Sequence, residues 1–269
     1  MHRAVERGLS RRDPDERYEH LSFDEKAVGR GHDYLTILSD ATGGKVLDVE
    51  IGRTKESVDL LCSQALSPQQ REAVQTVGTD MWSAYIYGAK RYFPEALHCF
   101  DNFHLVGYLN QAVDKVRRRE VKTQEVLKQS KYLFLKDQAN LSETQKLKWD
   151  AINDFNLEVS KAWQVKENFR AIQFKQTKAE AALLYENWIA HARAAQIKEI
   201  EEVVDMFERH RQGILNAIQT GANNAKAERL NGSIQELKTV ARGYRKCENM
   251  RIAILFHYGK LKLLPHNIQ

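Results

Sequence analysis

Residues 34–51 read YLTILSDATGGKVLDVEI, two runs of large apolar and β-branched residues on either side of Gly43-Gly44. Runs of this kind predict β-strands, and the glycines supply the positive φ angles of a tight antiparallel turn. Leu21-Ser22-Phe23, further upstream, has a similar composition. We therefore predict three short strands joined as a meander, with Asp24 at the end of the first strand.

Helical and strand patterns alternate after the meander. Apolar spacing predicts helices at 57–66 and 82–92, and short apolar runs predict strands at 73–77 and 96–100. The fourth strand then leads to Asp80 and the fifth ends at Asp101. The order βββαβαβ resembles that of RNase H-like folds, in which a sheet ordered 3-2-1-4-5 makes strands one and four neighbours. A fold by itself implies no activity.

The second half of the chain has a helical pattern. No proline lies between Pro94 and Pro265, and apolar residues recur every three or four positions from Asn110 onward. Capping boxes predict helix starts at Ser142 and Thr177, and one long amphipathic helix is predicted over 197–214. We predict an α/β, RNase H-like core interrupted by an all-helical insertion. The predicted segments are a linker or remnant at 1–17, the core at 18–120 and 220–269, and the insertion at 121–219.

The composition is that of a soluble protein, and its mildly basic charge is compatible with a polyanionic partner without requiring one. The 269 residues carry a formal net charge of +5, with a sequence pI near 9.0. Three cysteines without a CxxC pair predict neither a disulfide framework nor a zinc site. No apolar run reaches the roughly 18 residues that span a bilayer, and no signal peptide is evident. We expect no membrane partner and a cytoplasmic location.

Three acids are candidate metal ligands. Asp24 and Asp80 follow neighbouring strands of the predicted sheet, and Glu228 lies on a late helix. Two divalent ions held by such hard oxygen ligands can activate an attacking oxygen and stabilise a leaving one. The predicted apolar face of the late helix consists of Ala227, Leu230, Ile234 and Leu237. Steps of three and four residues place the acid in another stripe with amides and cations, which suits a metal ligand beside a phosphate backbone. That stripe is Glu228, Asn231, Gln235, Lys238 and Arg242.

Five blocks of sequence resemble the ISL3 family of insertion-sequence transposases, within the DDE transposases. The resemblance implies Asp24, Asp80 and Glu228 as the three catalytic acids, with two Mg²⁺ ions or Mn²⁺ as substitute. It further implies that the protein cleaves the ends of an insertion sequence and transfers its strands, with the element ends and target DNA as partners. The resemblance also implies a homo-oligomer in the bacterial cytoplasm that is associated with the nucleoid when it is bound to DNA. The blocks are Phe23–Lys26 with Gly31–Thr36, Asp80–Tyr85, Asp101–His104, Asn224–Asn231 and Ala241–Arg245.

Members of that family usually carry a cysteine-rich zinc-binding segment and a helix-turn-helix ahead of the catalytic domain. Neither pattern precedes Asp24 here. We therefore expect a truncated form of such a transposase. Two other functions stay open: an inactive or regulatory DNA-binding fragment, and a hydrolytic RNase H-like nuclease such as a junction resolvase.

Further residues are candidates for supporting roles. Asp101 competes with Asp80 as the second acid, because it also ends a strand. His104 and Asn231 could orient a phosphate or a carboxylate, and Trp82 could stack on a base or simply pack beneath the site. Basic residues that could contact DNA are Lys26, Arg117, Arg118, Arg119, Lys238, Arg242, Arg245 and Lys246.

Overall fold

The computed structural model describes residues 1–28, 33–136, 140–153, 155, 157–172, 176–221 and 225–265, with the backbone alone for 225–228. It divides into a sheet unit, residues 1–101 with 222–269, and a helical unit, residues 102–221. Within the described part, no helix is long and apolar enough to cross a membrane.

One five-stranded sheet forms the centre of the sheet unit. Its order is β3-β2-β1-β4-β5, with β1 to β3 antiparallel and β4 and β5 parallel to β1. The predicted meander and strand order are confirmed. The strands are β1 (His20–Ala27), β2 (Tyr34–Asp40), β3 (Lys45–Ile51), β4 (Thr76–Thr79) and β5 (Leu97–Phe100).

Two strands differ from the sequence prediction. Asp24 was placed at the end of β1, but that strand continues to Ala27, because it stays paired with β2 after its pairing with β4 has ended at Ser22. Strand β4 was predicted at 73–77 and lies at 76–79, because Gly78 and Thr79 continue the ladder. As a result, β4 runs directly into Asp80.

Helices cover both faces of this sheet. On one face Leu21 and Phe23 of β1 join a core with α2 and α4, and on the other Leu35 and Ile37 of β2 join a core with α12 and α13. The helices are α1 (His2–Leu9), α2 (Lys55–Ala65), α3 (Pro68–Glu72), α4 (Ser83–Tyr92), α12 (Ala225–Val240) and α13 (Cys247–Tyr258).

The first residues are more ordered than the sequence predicts. We expected a linker over 1–17, yet α1 packs against α13 with Val5 fully buried. Arg7 donates to the Leu263 carbonyl at 2.5 Å, and Arg12 donates to the Val46 carbonyl at 3.1 Å. Arginine side chains therefore anchor this segment to backbone oxygens, a use that hydrophobic patterning does not reveal.

The helical unit begins at Asn102, earlier than the predicted boundary at 121, because α5 packs along α8. Both predicted capping boxes are present, at Ser142 with Gln145 and at Thr177 with Glu180. Besides a 3₁₀ turn at Glu125–Leu127, its helices are α5 (Asn102–Glu120), α6 (Lys131–Leu135), α7 (Glu143–Asn153), α8 (Glu158–Arg170), α9 (Lys178–Ala194), α10 (Lys198–Arg209) and α11 (Arg211–Thr220).

The single long helix predicted over 197–214 is wrong. The chain forms α10 and α11 instead, with a break at His210, whose φ of −109° and ψ of 17° are not helical. Arg211, the one residue that interrupts the apolar stripe, begins α11 and donates to Glu186 of α9. The break allows both Phe207 and Ile214 to be fully buried.

Candidate functional site

Extending the registers of three neighbouring strands places three aspartates in one row across the sheet. The pairing of β1 with β4 matches Ser22 to Gly78, and the same register extended by two residues matches Asp24 to Asp80. The pairing of β4 with β5, extended by one residue, matches Asp80 to Asp101. Paired residues of adjacent strands point to the same face, about 4.8 Å apart across each pair. In this register Asp80 lies between Asp24 and Asp101, and Asp80 is one strand closer to Asp24 than Asp101 is.

Neutral donors contact the Asp24 carboxylate. Its Oδ1 accepts the backbone N–H of Glu25 at 2.6 Å, and its Oδ2 accepts the side-chain amide of Asn231 on α12. The face of the sheet that carries Asp24 is thus the face covered by α12. Asn231, predicted as a supporting residue, lies in direct contact with the first candidate acid.

Asp80 begins the turn that leads into α4. Its Oδ1 accepts the backbone N–H of Trp82 at 2.8 Å, which is the turn-capping contact expected of an aspartate at a strand end. The nearby hydroxyl of Tyr85 reports the local charge. Burial raises the Tyr85 pKa, a hydrogen bond with Thr36 opposes that shift, and the charges of Glu25, Asp80 and Asp24 raise it further. All three carboxylates therefore act on one buried hydroxyl.

Helix α12 carries Glu228 one turn before Asn231. Residues three apart lie on the same face of a helix, so the Asn231 contact brings the turn containing Glu228 toward Asp24. The predicted apolar face is confirmed at Leu230 and Ile234, which are buried in the core with α13. The side chain of Glu228 lies outside the described residues.

Two lysines lie beside Asp24 on this face. Lys26 follows Asp24 by two residues on β1, so its side chain points the same way. Lys238 of α12 donates to the Ala27 carbonyl at 2.8 Å. Burial lowers the pKa of Lys26, the charge of Asp24 raises it, and the charge of Lys238 lowers it again. The two ammonium groups are therefore close enough to repel each other.

The other predicted basic residues of this unit follow α12. Arg242, Arg245 and Lys246 are exposed in the segment between α12 and α13. Arg242 has a φ of 55° and the adjacent Gly243 a φ of 89°, which turn the chain sharply after the helix. These cations are open to solvent.

Sequence reasoning missed a cluster on the opposite face of the sheet. Arg53 follows β3 and lies between two aromatic rings, with its guanidinium carbon 3.9 Å from the Tyr34 ring centre and 4.5 Å from that of Trp82. It also pairs with the Glu25 carboxylate at 3.1 Å, and its carbonyl accepts the Trp82 indole N–H at 2.8 Å. Arg53 belongs to no recognisable motif, and only the folded chain brings it to these partners.

A metal cluster of three donors is not formed by the described side chains. Among residues whose side chains the structure describes, no group of three histidine, cysteine, aspartate or glutamate residues is arranged to hold a metal ion. Asp24 and Asp80 provide two oxygen donors in one row. Carboxylates of this kind suit Mg²⁺, which prefers oxygen ligands and commonly takes one or two from the protein.

Known proteins have sequences similar to most of this chain. The ISL3-type DDE family model, described as a transposase, matches residues 21–254. This chain belongs to that family. It is 27% identical over 246 residues to the transposase for insertion sequence element IS1001 from Bordetella parapertussis, covering 88% of this chain and 60% of that protein. It is also 27% identical over an alignment of 282 residues to the transposase for element IS1557 from Mycobacterium tuberculosis. This alignment covers 92% of this chain and 62% of that protein.

The chain therefore spans about three fifths of the length of these relatives. The predicted resemblance to ISL3 transposases is confirmed. Of the five blocks that carried it, Gly31-His32 and Asn224 lie outside the described residues, as do the side chains of 225–228. The remaining blocks include Asp24, Asp80 and Asp101, and also Asn231, which contacts Asp24.

In the helical unit, the predicted basic run is engaged with acids. Arg117 and Arg118 donate to the two oxygens of Asp114, and Arg119 bridges Glu158 of α8 and Glu199 of α10. These contacts join three helices of the unit. His104 lies on the first turn of α5, half-buried, with its ring 5.7 Å from that of Phe103.

Proposed function

We propose that this chain is the catalytic part of a DNA transposase with an RNase H-like fold, which cleaves element ends and transfers the strands. The observation that carries the proposal is the row that pairs Asp24 with Asp80, facing the helix that bears Glu228. The family membership supports DNA as the substrate. The helical unit is proposed as an insertion between β5 and α12.

Asp24, Asp80 and Glu228 are the proposed ligands of two Mg²⁺ ions, which Mn²⁺ could replace. Bound there, the metal would supply positive charge that activates the attacking oxygen and stabilises the leaving one. The chain's own contribution is to hold the acids in place. The Glu25 and Trp82 amides fix one oxygen of Asp24 and of Asp80, and Asn231 orients the other oxygen of Asp24.

Lys26 and Lys238 are proposed to contact the phosphate backbone beside the acids. A phosphate between the two ammonium groups would reduce the repulsion between Lys26 and Lys238. Neutralising a phosphate also releases condensed counterions from the DNA, which favours binding. The exposed cations after α12 would extend this track along the duplex. A homo-oligomer assembled on two element ends is part of the proposal.

A cleavage assay tests the proposal. A labelled duplex carrying terminal-repeat DNA is incubated with Mg²⁺ or Mn²⁺ and the wild type, Asp24→Asn, Asp80→Asn, Glu228→Gln or Asp101→Asn. The first three substitutions should lower the nicking rate about 1,000-fold, since ligands in such sites contribute several kcal/mol and 1.36 kcal/mol is tenfold. Asp101→Asn should retain most of the rate, because Asp101 lies one strand further from Asp24.

Each other outcome removes a defined part of the proposal. Undiminished nicking by one of the three variants excludes that residue from the site, and loss with Asp101→Asn in place of Asp80→Asn exchanges the second acid. Nicked product without joined product would indicate a hydrolytic nuclease. DNA binding without any metal-dependent nicking would indicate a regulatory fragment.

A further inference from the structure

The two candidate metal ligands of the sheet are held in the same way. One carboxylate oxygen of Asp24 accepts the backbone N–H of Glu25, and one of Asp80 accepts the backbone N–H of Trp82. The orientation of each acid therefore depends on where the residue that supplies its amide is fixed. These two residues lie on different segments of the chain, in β1 and in the turn before α4.

Arg53 is a shared partner of both amide donors. Its guanidinium pairs with the Glu25 carboxylate at 3.1 Å and stacks on the Trp82 ring at 4.5 Å. Its backbone carbonyl accepts the Trp82 indole N–H at 2.8 Å, and Tyr34 covers the guanidinium at 3.9 Å. A planar guanidinium can stack and pair at the same time, which an ammonium cannot do.

The location of Arg53 excludes a direct role as a metal ligand. It lies on the face of the sheet that Glu25 and Tyr34 share, whereas Asp24 points to the face that α12 covers. Its positive charge would also disfavour a bound cation at close range. A favourable effect of Arg53 on metal binding would therefore pass through its contacts with Glu25 and Trp82.

We infer that Arg53 is a positioning residue, which fixes the spacing of Asp24 and Asp80 by holding the two residues whose amides orient them. This inference rests on the proposed function. It adds a residue outside the acids that determines how tightly the site binds a divalent cation. Removing Arg53 should lower the metal affinity about tenfold or more, the scale found for residues that orient metal ligands without touching the metal.

The sheet unit offers a matched control. Arg91 of α4 pairs with Asp59 of α2 at 3.6 Å and lies over the Tyr87 and Tyr92 rings, at 5.8 and 5.7 Å. It is therefore a second arginine with an acid and two aromatic rings, but without contact to the amides that hold Asp24 and Asp80. Loss of Arg91 should affect stability alone.

The test measures Mn²⁺ binding to the full chain without DNA, from the electron paramagnetic resonance signal of free Mn²⁺, together with thermal unfolding. Arg53→Gln should raise the half-saturating Mn²⁺ concentration about tenfold or more. Arg91→Gln should leave it unchanged. Arg53→Lys, which keeps the charge opposite Glu25 but loses the stack, provides a second variant if Arg53→Gln does not fold.

Two results would overturn the inference. One is an equal Mn²⁺ midpoint for Arg53→Gln and Arg91→Gln, and the other is a folded Arg53→Lys with the wild-type midpoint. Asp24→Asn and Asp80→Asn separate this failure from failure of the proposed function. If wild-type Mn²⁺ binding is absent or insensitive to both, the metal site itself is rejected and the role of Arg53 with it. If binding depends on both acids but not on Arg53, only the inference is rejected.

Discussion

Asp24 and Asp114 are two aspartates among basic residues, and they are held in opposite ways. Asp114 on α5 is buried and accepts hydrogen bonds from the charged Arg117 and Arg118, at 2.5 to 2.9 Å. Asp24 accepts from two neutral amides, those of Glu25 and Asn231. Arginine donors neutralise a carboxylate as they orient it, whereas amide donors orient it and leave its charge. Asp114 is thus held in an ion pair, whereas the amide contacts from Glu25 and Asn231 orient Asp24 without adding positive charge.

Replacing each carboxylate by an amide should lower the nicking rate for Asp24 and the unfolding free energy for Asp114. Asp24→Asn is expected to lower terminal-repeat nicking about 1,000-fold, since several kcal/mol of charge stabilisation is lost, with little change in the unfolding free energy. Asp114→Asn should destabilise the helical unit by about 3 kcal/mol, because the largely buried guanidinium of Arg117 is left without its acid. Urea unfolding and the cleavage assay measure both effects.

The pH dependence of unfolding checks the Asp114 result. Burial opposes ionisation, but hydrogen bonds from Arg117 and Arg118 outweigh it and hold the Asp114 pKa below its ordinary value. A depressed folded pKa contributes stability above the unfolded pKa, and that contribution is lost as the pH falls through the folded pKa. The stability difference between wild type and Asp114→Asn should therefore shrink in acid. A difference that stays constant would contradict the ion-pair role.

Asn231 provides a finer test of the neutral donor. Asn231→Leu keeps the side-chain size but removes the amide that Asp24 accepts, so nicking should fall about tenfold, as for partners behind metal ligands. Gln64→Leu, which removes an exposed amide on α2 away from the stripe that contains Asn231, is the matched control and should leave nicking unchanged. Equal rates for the two variants would mean that the Asn231 contact does not orient Asp24.

The smallest effect concerns the cations themselves. Lys238→Gln should weaken binding to a random-sequence duplex about fivefold at 0.1 M salt and reduce the slope of log affinity against log salt by about 0.9, as for one lost phosphate contact. Arg118→Gln removes the same charge, but Arg118 is paired with Asp114, so the slope should not change. If the slope changed more for Arg118→Gln than for Lys238→Gln, the run that contains Arg118 would be the DNA-contacting region and the region around Lys238 would not.

Local patterns predicted much of the sheet unit. Alternating apolar residues and the Gly43-Gly44 turn gave β2 and β3, and strand order then followed from the sequence of elements. The parallel pairing of β1 with β4, the strands that carry and precede Asp24 and Asp80, was predictable from the order of the elements. Helical spacing also placed the buried face of α12 correctly at Leu230 and Ile234.

Contacts that depend on the folded chain were not predictable. Arg53 meets Glu25 and Trp82 only because three separate segments converge, and no spacing in the sequence encodes that. At His210 the backbone leaves the helical conformation while apolar residues on both flanking helices stay buried, and an amphipathic stripe alone cannot show such a break. Charge runs were equally ambiguous: Arg117 to Arg119 could be assigned to helix contacts only once their acidic partners were located.

The position of the helical unit within the chain has a consequence for synthesis on the ribosome. Translation at about 5 to 20 residues per second needs roughly 6 to 24 s to make the 120 residues between Asp101 and Ala222. During that time the nascent sheet has Asp24 and Asp80 but neither Glu228 nor the helices that cover Leu35 and Ile37. A chain still being translated therefore lacks the proposed third acid, and it exposes an apolar sheet face that chaperones would have to protect until α12 and α13 emerge.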